Sequence, residues 1–185
     1  MDKKLWIPFI LTLLATLFML SCIFIPYATA TPEQAEKLAL FPDAQIDDSL
    51  SLTAKDMQDI SMVKYAYMYS AIKDQSAANA LVSNICIAMV VLIGVFSLLA
   101  ILFSLWRKPI PVIIFTLLAY GVFAAQNFDY TDRGIIPSNA YDWGLAHTLF
   151  PIAVIIALAS AVWMLVTKLL LKKQAKAEMD VAPEA

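Results

Sequence analysis

The 185 residues include two cysteines, four glycines and one histidine, and each scarcity removes a class of protein. Cys22 and Cys86 both lie inside apolar runs, so they build neither a disulfide framework nor a zinc knuckle. There is no C-x-x-C pair of the kind a thiol oxidoreductase uses. His147 stands alone, and a single imidazole holds neither a haem nor a metal without further ligands. So few glycines are unusual for a channel-like or transporter-like membrane fold. The net charge is -2, and no Lys/Arg stripe interleaved with aromatics occurs, so nucleic acid is excluded as a partner. No catalytic, cofactor-binding or metal residue is assigned, and no cofactor is expected.

What the chain has in abundance is apolar surface. Hydrophobic residues make up 61% of it, against roughly 45–50% in soluble domains, and its mean hydropathy is +0.74. A helix rises about 1.5 Å per residue and needs about 20 apolar residues to span the hydrocarbon core. Four stretches qualify: residues 5–27, 81–106, 109–126 and 144–171. The third is the shortest. It opens on Pro109 and Pro111, which suit a helix's first turn, and a re-entrant segment competes with a crossing. Crossing is preferred because it keeps the Lys172-Lys173-Gln174-Ala175-Lys176 tail on the side of the other cations.

Those cations set the orientation. Lys3, Lys4, Arg107, Lys108, Lys168, Lys172, Lys173 and Lys176 fall on one side, the cytoplasm by the positive-inside bias. The expected layout is therefore a cytoplasmic start (residues 1–4), an extracytoplasmic segment (28–80), a cytoplasmic turn (107–108), an extracytoplasmic loop (127–143) and a cytoplasmic tail (172–185). The tail reads as a short disordered end, its lysines at anionic lipid. Both outer segments are acidic: Thr31 to Ala80 holds eight acids against four lysines, and Gln126 to Trp143 three acids against Arg133. Trp6 and Trp106 read as interfacial anchors at the inner edge, and Tyr27, Tyr130, Tyr141 and Trp143 as anchors at the outer edge. Trp163 lies deeper and reads as packing. The fold class expected is an all-α integral membrane protein of the plasma membrane, a four-transmembrane-helix bundle with a small helical extracytoplasmic segment between its first two spans and both termini cytoplasmic.

The start resembles a signal peptide, with Lys3-Lys4 before the apolar run and Pro26-Tyr27-Ala28-Thr29-Ala30 like a cleavage site. The run exceeds the roughly 7–15 residues of a signal core, so retention as a span is expected. Met19-Leu20-Ser21-Cys22 departs from a lipoprotein pattern at Leu20, and Cys22 reads as a buried thiol. Cys22 and Cys86 lie at matching depths, which permits a disulfide only if their Cα atoms come within roughly 4.4–6.8 Å.

In the first outer segment, Thr31-Pro32-Glu33 predicts a helix running to about Leu40, ended by Phe41-Pro42-Asp43. Beyond the acids Asp47 and Asp48, Thr53 with Asp56 is a variant capping box and predicts a second helix to about Ile72. Its apolar residues form two stripes, Ile60, Val63, Tyr67 and Ala71 beside Met62, Tyr65, Tyr69 and Ile72. So wide a face must be covered, by the bilayer surface or the second outer segment, as a cap over the bundle, or by a docked partner. In the second segment, Asn127 to Gly134 and Pro137-Ser138-Asn139 read as a surface loop, with Arg133 paired to an acid. Asp129, Asp132 and Asp142 match no cation-binding loop.

The span centres carry no charge, whereas ion carriers and proton pumps need ionisable groups at depth. They carry small residues in register instead: Ala153, Ala157 and Ala161; Gly94, Ser97, Ala100 and Ser104; and, more weakly, Thr12, Ala15 and Thr16. Such stripes let helix backbones approach closely. The layout is similar to that of claudins and tetraspanins, but without their outer-loop cysteine pair or a W-G-L-W-like motif, so no family follows. The leading reading is a non-enzymatic accessory or scaffold subunit, its partners the lipid bilayer and another protein or a second copy. A transport component with Asn79, Asn84, Gln126 and Asn127 at its mouth is the alternative. An outer-interface enzyme using His147 with Asp129, Asp132 or Asp142 ranks below both.

Overall fold

Proline has no backbone donor to leave unpaired at a helix start, and two helices begin on one: Pro32 and Pro109 both open their first turns. The computed structural model describes residues 3–47, 50–73 and 76–181; Met1, Asp2, Asp48 and the last four residues of the tail lie outside that range. A 3-10 turn, Lys3–Leu5, leads into α1 (Trp6–Ser21), followed by β1 (Pro26–Ala30), α2 (Pro32–Ala39), β2 (Gln45–Asp47) and β3 (Leu50–Thr53). Then come β4 (Asp59–Ser61), α3 (Met62–Ile72), α4 (Ala77–Leu105), α5 (Pro109–Asp132), β5 (Tyr141–Trp143) and α6 (Leu145–Val181).

The chain is mostly helical, and its apolar helices pack together. In α4, α5 and α6 the stretches Asn79–Leu105, Pro109–Asp132 and Leu145–Lys176 are long and apolar enough to cross a membrane; α1 is a shorter apolar helix beside them. α4 packs on α5, α5 on α6, α6 on α1 and α1 on α4, so the four close into a ring. The small residues are where these helices meet: Ala153, Ala157, Ala161, Ser97, Ala100, Ser104, Thr12, Ala15 and Thr16 are all buried, which brings the backbones close. Between α1 and α6 the hydroxyls of Thr12 and Ser160 lie 2.9 Å apart, with Pro8 O and Ile156 O as further acceptors. Larger apolar side chains point outward, among them Ile7, Leu14, Leu98, Leu117, Ile155 and Leu169.

Over one end of this bundle sits a cap that is not all helical, which corrects the all-α expectation. β1 is the middle strand of a three-stranded antiparallel sheet ordered β4-β1-β5, and β2 pairs with β3 in a separate hairpin. The sheet shortens the first apolar helix. Expected over residues 5–27, it stops at Ser21, because β1 must pair with two strands brought from far along the chain. The helix expected from Thr53 is also split. Thr53 and Asp56 enclose only a 3-10 turn, Lys55–Met57; Asp59–Ser61 then pairs with β1, and α3 starts at Met62 with the Ser61 side chain accepting from Lys64 N. α2 forms where expected, with Thr31 accepting from Gln34 N.

Two further boundaries move. α5, expected to end at residue 126, runs on to Asp132, because Thr131 Oγ1 bonds back to Asn127 O and Asp129 pairs with Arg133 one turn on. α6 continues past residue 171 to Val181, so the basic part of the tail is helical rather than disordered.

Asp56 ties the cap's turn to α3. Its carboxylate accepts from Thr53 N at 3.1 Å and Thr53 Oγ1 at 3.0 Å, and Lys64 Nζ lies 3.3 Å away. These bonds, the Thr53 amide first, hold its pKa below the usual carboxylate value. Asp56→Ala should cost about 1 kcal/mol, as capping residues do. Because the folded pKa is the lower one, the stabilisation is complete above the unfolded value of about 3.9 and disappears as pH falls through the folded value. Thermal melts taken from neutral to acid pH should therefore converge for wild type and Asp56→Ala; a gap that stays constant would show that the charge contributes nothing.

Candidate functional site

The residue types that do chemistry gather where α5 leaves the bundle and enters the cap. Gln126, Tyr130 and Phe123 recur along one face of α5, and all three are fully buried. Tyr27, arriving on β1, meets Phe123, Tyr130, Tyr65 and Trp143 edge-on at centroid separations of 5.4–6.2 Å. Its hydroxyl donates to Asn127 Oδ1 at 2.6 Å. Tyr65 of α3 packs edge-on against Tyr130 at 5.2 Å, and Tyr69 lies beyond it at 6.4 Å. This aromatic cluster joins α3, β1, α5 and β5.

A polar knot lies beside it. Arg133 pairs with Asp129, as expected of a solvated pair, but it also reaches Cys86 Sγ at 3.1 Å and Tyr69 OH at 3.4 Å. Its guanidinium lies over the Tyr130 and Tyr69 rings at 5.4 and 5.9 Å. Burial is the largest influence and works against the guanidinium's charge, yet the bond to Asp129 together with Tyr69 and Cys86 outweighs it and raises the pKa further. Burial also pushes the phenols of Tyr27, Tyr65 and Tyr69 up, so each remains neutral and serves as a packing or hydrogen-bonding group. The Gln126 amide and the Tyr130 hydroxyl are buried without a hydrogen-bond partner. An apolar groove of about 300 Å³, lined by Tyr65, Met68, Tyr69, Ile72 and Ile135, opens just outside this cluster.

The residues considered for acid–base chemistry are not assembled. His147 stacks on Trp143 at 4.2 Å, Asp129 is engaged by Arg133, and Asp132 and Asp142 are exposed. Among the described residues no group of three His, Cys, Asp or Glu side chains is placed to hold a metal. Of the four amides considered for a mouth, Asn79 is half-buried, Asn84 is exposed, Gln126 is buried and Asn127 accepts from the Tyr27 hydroxyl. Cys22 and Cys86 are both free and buried.

Three aromatic assignments change. Tyr27 and Tyr130, expected as interfacial anchors, are core residues, and Trp163, expected to pack, is 48% exposed because Ala161 and Met164 take the buried face of α6. Sequence spacing gave no sign of the knot, since Cys86, Asp129 and Tyr69 meet only through α3 and α5 both packing on α4. Fold and site together define a helical protein with multiple apolar helices fit for a membrane, capped at one end by a small mixed layer. No protein-family model, curated protein or solved structure matches the chain.

Proposed function

We propose that the chain is a four-span integral membrane protein acting as a non-enzymatic accessory or scaffold subunit, with the cap as its extracytoplasmic platform. The observation that carries this is the distribution of polarity in the bundle. Side chains facing outward from the helices are large and apolar, while the buried polar ones, Thr12, Thr16, Ser97, Thr116 and Gln126 among them, are uncharged. A soluble bundle has the reverse arrangement, and a pump or carrier needs ionisable groups at depth.

The first crossing is supported by length and packing. The 3-10 turn and α1 together rise about 30 Å, the thickness of the hydrocarbon core, and α1 packs lengthwise against α6 and α4. Its retention is supported by the sheet, because the stretch resembling a cleavage site is the middle strand β1, with Tyr27 and Ala28 fully buried. Orientation is supported by Lys168 donating to Arg107 O at the end opposite the cap, which gathers cations where the positive-inside bias wants them.

Native mass spectrometry of the protein extracted from its own membrane tests the reading. The expected spectrum shows the full chain with a companion protein at fixed stoichiometry. A homo-oligomer without companions would sink the accessory reading in favour of a transport component, and release of the chain by an alkaline wash would sink the membrane reading itself.

A further inference from the structure

The turn between α4 and α5 departs from what its backbone prefers. α4 ends with Arg107 N bonded to Ser104 O at 2.8 Å and Lys108 N bonded to Phe103 O at 2.9 Å. This paired closure usually places glycine at the left-handed position. Here the residue is Arg107, at φ 55°, a conformation that L side chains enter at a cost glycine avoids. A cation kept where glycine fits better points to work done by its side chain.

The surroundings indicate what that work is. Between the turn and α6 runs a groove of about 280 Å³. Arg107, Lys108 and Lys168 stand at it, Ile110, Pro111 and Leu165 form its apolar wall, and among the described residues no acid lines it. Lys168 is fixed there by its bond to Arg107 O, and the Arg107 guanidinium is steadied over the Phe9 ring at 4.6 Å. Ile110 is exposed on the face that the membrane reading turns to lipid, so the groove passes from charged to apolar along the bundle. A ligand complementary to this order carries a negative head directly joined to a hydrocarbon chain.

We propose that this groove is a binding site for one anionic glycerophospholipid, its phosphate held among Arg107, Lys108 and Lys168 and an acyl chain laid along Ile110 and Leu165. Basic pockets between spans on the cytoplasmic side bind acidic head groups in this way. The site rests on the reading of the bundle as membrane-spanning.

The test uses the full chain in mild non-ionic detergent, titrated with equimolar palmitoyl-oleoyl phosphatidylglycerol and phosphatidylcholine and read by native mass spectrometry. Wild type should retain one phosphatidylglycerol with a preference of about 25-fold, two cations' worth. Each groove cation removed should lower that preference about fivefold, the value of one basic residue near an anionic surface. Arg107→Gly is the informative variant: glycine suits the turn, so the melting midpoint should hold or rise while the preference falls. Combined with Lys108→Gln, it should bring the two lipids to parity. Equal retention of both lipids by wild type overturns the site, as does an unchanged preference in the double variant. An equal loss in Lys172→Gln/Lys173→Gln, whose side chains do not line the groove, also overturns it, since it would reveal general charge attraction. A chain that stays soluble without detergent refutes the membrane reading instead, whereas a detergent-requiring chain without lipid preference refutes the site alone.

Discussion

Gly144→Ala is expected to destabilise the protein by about 3 kcal/mol or more, the upper range for overpacking, lowering the melting midpoint by about 10 °C for a chain of this size. A Cβ on Gly144 would lie 2.5 Å from Pro26 O, 2.8 Å from Pro26 C and 3.0 Å from Tyr27 C. These are backbone atoms of β1, and they are held there: Gly144 N donates to Tyr27 O at 2.9 Å, and β1 is bonded on both sides. The strain cannot be relieved by a rotamer change. Gly121→Ala is the control, because nothing lies within 4 Å of a Cβ there and alanine is favoured over glycine in a helix by about 0.8–1 kcal/mol. Thermal melts in the same detergent compare the two. Equal midpoints would mean that β1 and the start of α6 do not approach as closely as described.

The second large effect is expected at Tyr27, which is fully buried and touches four other rings. Tyr27→Ala leaves a cavity at the junction of cap and bundle and should cost about 3–5 kcal/mol, as large aromatic deletions do. It should also open the way to Cys86, which is 1% exposed beneath the cap, so the rate of maleimide labelling at that thiol should rise sharply. Tyr27→Phe keeps the ring but deprives Asn127 Oδ1 of its donor, a loss of about 1–3 kcal/mol. Labelling of Cys86 should then stay slow. Wild-type melting and labelling in Tyr27→Ala would refute the junction role.

The helical half of the protein was legible because helix packing reads out a local period. Ala153, Ala157 and Ala161 recur every fourth residue and are all buried, since a helix returns the same face to its neighbour at that spacing. The cap was legible only where a local bond decides the structure. Thr31-Pro32-Glu33 made its helix, with Thr31 as the cap. Thr53 and Asp56 made their bonds too, yet the helix those bonds predict was cut short by Asp59–Ser61 pairing with β1.

Sequence alone determined that this chain is an apolar, mostly helical protein with helices long enough to cross a membrane, because composition, helix length and residue period are properties of single segments. Tertiary structure alone decided the rest. Pro26–Ala30 is a strand only because Asp59–Ser61 and Tyr141–Trp143 arrive to pair with it. Tyr27 and Tyr130 are core residues rather than surface anchors only because the cap folds down over them. The knot of Cys86, Asp129, Arg133 and Tyr69 draws on three separate stretches of chain. The physical reason is common to all three: a strand's partners and a side chain's burial are fixed by segments distant in sequence, and no local period records them.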